Sequence, residues 1–120
     1  MRAVEILSFG YIYAPPPRGM HFVADLRDFY AEDALPGGTG LDRPVRDAIM
    51  NLPGARELTA SLTQVASAYL ATAGPGPVRI ALGSTNGRHR APGIAIAMHD
   101  ALLAHARIDL THRDLHRAFE

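Results

Sequence analysis

The sequence predicts an α/β domain, a small mixed sheet with flanking helices, and three observations carry that prediction. Short apolar runs rich in β-branched and aromatic residues recur at positions 3–9, 22–27, 78–83 and 107–110. Two of the intervals between them carry helical signals, with apolar residues at three- and four-residue steps and Pro or Gly at their ends. The third observation is that Val78 to Leu110 reads as strand, loop, helix and strand with no spare residue, a βαβ unit.

The elements follow in order. AVEILSF at 3–9 is a mostly apolar strand, ended by Gly10 and the aromatic Tyr11 to Tyr13. Pro15, Pro16 and Pro17 with Gly19 make a stiff connection, because proline fixes φ and donates no hydrogen bond. FVADLR at 22–27 is a second strand, in which Asp25 and Arg27, two residues apart, lie on one face. ALPGGTG at 34–40 is irregular, and Asp42 followed by Pro44 starts a helix reaching about Leu52, with Asp42 as a helix N-cap. Pro53 and Gly54 break it. Leu58, Leu62, Val65 or Ala66, Tyr69 and Leu70 then define an amphipathic helix, stopped by GPGP at 74–77. After the strand at 78–83, Pro92 sits near the first turn of a helix that is apolar almost all round through Leu103, as a helix buried against a sheet must be.

A chain of 120 residues fits one domain over 1–120, and a domain of that size buries about two thirds of its unfolded surface. All twelve basic residues are arginine. Without lysine there is neither a Walker-type nucleotidase loop nor a Schiff-base enzyme. Twelve acidic residues bring the net charge to zero, which argues against a broad nucleic-acid surface but leaves a local basic patch open. Cysteine is absent, which removes disulfides, thiolate zinc sites and redox couples. The run at 3–8 carries Glu5 and is too short for a signal peptide, and nothing resembles a long apolar span. The expected location is the cytoplasm, with no membrane contact.

The chemistry concentrates in Gly83, Ser84, Thr85, Asn86, Gly87, Arg88, His89 and Arg90. A loop wraps its N–H groups around an anion only if some residues reach φ > 0, which Gly87 does freely and Asn86 at modest cost. The following helix aims its unpaired N–H groups and positive dipole end at the same point. The spacing, with Arg90 six residues after Ser84, is that of the phosphate loop of cysteine-dependent phosphatases, with serine in place of the thiolate. An alcohol needs an adjacent base to attack, so binding of a phosphate is favoured over its cleavage, and no catalytic residue is assigned. Two other readings stay open: an ordinary βα connection with solvated arginines, and a phosphatase-like or sugar-phosphate-transforming enzyme using Ser84 or His89.

Asp25 and Arg27 either face the anion or form an ion pair capping a strand. His112 and Arg113, directly after a strand, either reach the same sheet end or form a solvated pair. His99 and His105 fall on nearly opposed helix faces, and His112 and His116 have no fixed acidic partner, so no metal site and no cofactor is expected. Tyr11 and Tyr13 are read as packing residues and loop anchors.

SFGY at 8–11, DLR at 25–27, TGLDRPVRD at 39–47, IALGSTNGRHR at 80–90 and HRDL at 112–115 together resemble the C-terminal domain of the RapZ family of RNase adaptor proteins. The phosphate loop of that family usually reads GCTGGKHRS. Here Gly83, Thr85, Gly87, His89 and Arg90 match, while Ser84, Asn86, Arg88 and Ala91 depart from it, and the asparagine-proline-aromatic segment after the DxR block is replaced by residues 28–38. The resemblance implies a domain that senses an amino-sugar phosphate, glucosamine-6-phosphate, and that in some members binds small regulatory RNA and presents it to a ribonuclease. It adds Thr39 to the ligand-binding set. It also implies a chain standing alone without the family's N-terminal ATPase domain, so that ATP hydrolysis does not carry over. The expected partners are a phosphorylated small molecule, with a nucleotide as an alternative, and RNA, a regulatory protein or a second copy of the chain.

Overall fold

The computed structural model describes residues 2–28 and 37–117. The elements run β1 (Val4–Gly10), β2 (Phe22–Asp25), α1 (Arg43–Met50), α2 (Ala55–Leu70), β3 (Val78–Ser84), α3 (Arg90–Leu102) and β4 (Ile108–His112). All four strands expected from the apolar runs form, and the α/β class holds. Of the irregular stretch expected at 34–40, residues 34–36 lie outside the described residues, as does most of the segment replacing the family's asparagine-proline-aromatic block.

The strand order is β2-β3-β1-β4, and every pairing is parallel. The sheet is therefore not mixed. Parallel neighbours need crossovers rather than hairpins, and the two helical segments between β2 and β3, with α3 between β3 and β4, supply them. The βαβ unit at 78–110 spans over β1, which lies between its two strands.

One face of the sheet holds the core. Val4 and Ile6 of β1 and Val78, Ile80 and Leu82 of β3 alternate onto it, where they meet Val45, Ile49, Ala66, Ile94, Met98 and Leu102 from the three helices. Burial of such side chains stabilises the fold by about 1.5–3 kcal/mol each. The opposite face carries the Glu5–Arg79 ion pair and the partly exposed Val23, with Phe9 buried beside Gly83. A sheet with helices on one face and strands all running one way leaves four strand ends at a single edge.

Candidate functional site

At the carboxyl edge Gly10, Asp25, Ser84 and His112 end their strands. The loop after β3 is stitched to its neighbours on both sides. Ser84 and Thr85 accept hydrogen bonds at their carbonyls from Tyr11 N–H (3.0 Å) and Ile12 N–H (3.1 Å), and Gly83 accepts one from Leu26 N–H at 2.7 Å. The Arg88 carbonyl accepts Gly40 N–H at 2.8 Å, which docks the turn before α1 against the loop.

Inside the loop, Gly87 has φ +71°, the left-handed conformation expected of it. Its N–H donates to the Ser84 hydroxyl at 3.1 Å, and Arg88 N–H donates to Asn86 Oδ1 at 3.1 Å. Asn86 thus shapes the turn with its side chain. Ser84 is 1% exposed. Its hydroxyl accepts from a backbone amide instead of facing a base, and His89 Nδ1 is buried with no hydrogen-bond partner among the described residues. The Gly87–Ser84 bond closes the loop on itself.

Helix α3 begins at Arg90, with His89 in the N-cap position and no side chain capping it. Pro92, in the first turn, has no N–H to satisfy. The remaining first-turn amides have no intrahelical acceptor and stand at the positive end of the helix dipole, which is the general basis of anion attraction at helix starts.

Arg90 itself is 3% exposed. Its Nη1 donates to the carbonyls of Arg27 (3.1 Å) and Leu26 (3.4 Å), and its Nη2 to Thr85 Oγ1 (3.2 Å). This guanidinium ties the end of β2 to the loop. Asp25 and Arg27 form the ion pair, at 2.6 Å, with both side chains about half exposed. Hydrogen bonds from Arg27 hold the Asp25 carboxyl below the usual carboxylate range, helped by the charges of Arg27 and Arg90. The Arg27 guanidinium lies 3.8 Å over the Tyr11 ring, which packs edge-on against Phe9. Burial raises the Tyr11 phenol pKa, with the Asp25 charge acting in the same direction.

Asp42 occupies the N-cap position of α1, but its carboxylate makes no cap bond and accepts Thr39 N–H at 2.8 Å instead. The expected capping role is therefore replaced by closure of the TGLD turn, in which Thr39 Oγ1 accepts Leu41 N–H at 3.2 Å. Gly40 sits so close to the His89 carbonyl and Gly93 amide that a side chain there would overlap backbone.

Beyond β4, His112 Nδ1 is 2.6 Å from the Ser8 hydroxyl. Arg113 is directed inward, donating to the carbonyls of Pro15 (2.8 Å), Ala14 (2.9 Å) and Gly10 (3.4 Å) and to Asp114 (3.0 Å). Partly exposed, it anchors the proline segment to the end of β1. Asp114, whose side chain is fully buried, accepts Gly10 N–H at 2.8 Å and pairs with Arg117. Ser8, Gly40 and Asp114 escaped the sequence reading of individual residues, although three of the five motif blocks contain them. Among the described residues no group of three or more His, Cys, Asp or Glu side chains could hold a metal ion, and no helix is long and apolar enough to cross a membrane.

The family model described as the RapZ C-terminal domain matches residues 2–116. The chain belongs to the RapZ C-terminal domain family. Relatives include a nucleotide-binding protein of Lactiplantibacillus plantarum, 32% identical over 98% of this chain and 42% of its own length. Others bearing the same description are from Lactobacillus acidophilus, 33% identical over 96% of the chain and 41% of the relative, and a Parafrankia species, 35% identical over 93% and 41%. The chain thus spans about two fifths of the length of these curated relatives. In this RapZ C-terminal domain the matched region covers β1 to β4 and the loop between β3 and α3.

Proposed function

We propose that this RapZ C-terminal domain binds a phosphorylated small molecule at the carboxyl edge of its sheet and acts as a sensor or adaptor without transforming it. The observation that carries the reading is the uncapped start of α3, reached through a loop that Gly87 turns at φ +71°. The buried, amide-bonded hydroxyl of Ser84 supports binding over hydrolysis. Around that point Thr85, Asn86, Arg88, His89 and Arg90 form the phosphate pocket, and Asp25, Arg27, Thr39 and His112 contact the rest of the ligand. A sugar phosphate such as glucosamine-6-phosphate fits this division, with the phosphate on the amides and the hydroxyls on the strand ends. A nucleotide is the second reading, favoured by the description of the relatives as nucleotide-binding proteins, which belongs to chains more than twice as long. RNA binding has less support, because the net charge is zero. A sensor of a soluble metabolite would work in the cytoplasm.

A thermal-shift titration with glucosamine-6-phosphate, AMP and inorganic phosphate tests the reading, since a ligand at 100 times its Kd stabilises the fold by about 2.7 kcal/mol. The expected result is a larger shift with the sugar phosphate than with inorganic phosphate, and no release of phosphate. Absence of any shift overturns the site, and turnover abolished by Ser84→Ala overturns the non-catalytic reading.

A further inference from the structure

We propose that the buried Ser8 hydroxyl is a positioning group that fixes His112 as the neutral, Nε2-protonated tautomer and so makes Nε2 a hydrogen-bond donor to a hydroxyl oxygen of the ligand. This deepens the sugar-phosphate reading above and rests on it for the identity of the acceptor.

Ser8 lies on β1, the strand between β3 and β4, and is fully buried. A hydroxyl removed from water must place its proton on an acceptor or lose the free energy of that hydrogen bond. Among the described residues the partner of Ser8 Oγ is His112 Nδ1, at 2.6 Å. When the hydroxyl donates, Nδ1 must carry a lone pair, and in a neutral imidazole the ring proton then resides on Nε2. Protonation of the ring would put a second proton into this short contact. The half-buried ring is disposed the same way, because desolvation and then the charge of His116 lower its pKa.

The position of the pair suits a ligand contact. Ser8 pairs with His112 in the β1–β4 register, while Gly10, two residues on, pairs with Ser84. Side chains two apart share a face, so Ser8, His112 and Ser84 all lie on the face that α3 covers, at the edge where α3 starts. A neutral Nε2–H donates to an oxygen acceptor without adding charge beside a helix start already positive, which suits the hydroxyl oxygen of a polyol.

Ring-nitrogen NMR of the 15N-histidine-labelled chain tests the assignment directly. Wild type is expected to show His112 protonated at Nε2 at pH 7.5, Ser8→Ala a mixture of tautomers, and Ser8→Thr, which keeps the hydroxyl in a strand, the wild-type pattern. A wild-type His112 protonated at Nδ1, or a Ser8→Ala spectrum unchanged from wild type, overturns the proposal. In calorimetry, Ser8→Ala is expected to weaken glucosamine-6-phosphate by about two- to tenfold, the net worth of one neutral hydrogen bond, and to leave inorganic phosphate unchanged. Equal weakening of both ligands overturns the recognition role. AMP as a third probe separates a ribose from a hexose as the source of the hydroxyl. A wild type with the Nε2 tautomer that binds none of these ligands marks failure of the phosphate reading, whereas Nδ1 protonation in a wild type that binds marks failure of this one.

Discussion

Gly10 and Gly87 pack backbone against backbone, the end of β1 against the turn of the loop after β3. A Cβ on Gly87 would stand 2.7 Å from the Gly10 nitrogen, and one on Gly10 would overlap the Asn86 carbonyl carbon and oxygen. The two glycines bring the loop down onto the strand end, which sets where the start of α3 is aimed.

Gly87→Ala is therefore expected to combine the strain of a left-handed alanine, about 1–2 kcal/mol, with a clash against backbone that cannot move aside. Denaturant melts should show a loss of at least about 2 kcal/mol. Phosphate affinity should fall further than stability alone explains, because the amides of the loop are re-aimed.

Asp114→Ala should rank among the more destabilising single changes. It leaves Gly10 N–H without its acceptor in a buried position and separates Arg113 and Arg117 from their carboxylate. Breaking a buried pair in this way costs about 3 kcal/mol, and here the partial exposure of both arginines keeps the loss toward that lower end of the range. Urea midpoints of Asp114→Ala and Asp114→Asn, the latter keeping one acceptor, measure it; a wild-type midpoint in Asp114→Ala would refute the clamp.

Arg90→Ala and Arg88→Ala should separate two properties. Arg90 holds Leu26, Arg27 and Thr85 together from a buried position, so its loss is expected to lower both stability and phosphate affinity, with hydrogen bonds from a charged group worth about 1.5–3 kcal/mol each. Arg88 contributes its backbone to the turn, and Arg88→Ala should leave the melting temperature within about 2 °C. Calorimetry in which Arg90→Ala binds phosphate as tightly as wild type would remove Arg90 from the site.

His112 predicts a pH dependence of stability. Burial first, and His116 second, lower its pKa from the ordinary 6.5, so the folded state holds fewer protons on this ring than the unfolded chain. Its contribution is full above pH 6.5 and is lost as pH falls from there through the lowered folded value. In His112→Gln that part of the loss is absent. Wild-type and variant unfolding free energies should therefore converge between pH 7.5 and 5, and a constant difference would refute the shift. Asp25 acts in a separate window, below its ordinary 3.8, where protonation weakens the pair with Arg27.

What the sequence decided about this protein is local. Apolar runs, Pro44, the Pro53-Gly54 break and the 74–77 stop mark out every described strand and helix to within a few residues, because periodicity and backbone-restricting residues act over a few positions. Gly87 was predictable for the same reason: a tight βα turn needs φ > 0. Only the tertiary structure decided which strands are neighbours, that all are parallel, and that β1 runs through the middle. Those facts bring Ser8 to His112 across 104 positions, Gly10 to Asp114 across another 104, and Arg90 to Arg27 across 63. Asp42 looked like a cap, and Arg113 like either a residue reaching the loop's sheet end or half of a solvated pair with His112, because residue type states what a side chain can bond. The partners within reach, the Thr39 N–H donor for Asp42 and the carbonyl acceptors of Ala14 and Pro15 for Arg113, exist only once the loops are folded against the strand ends.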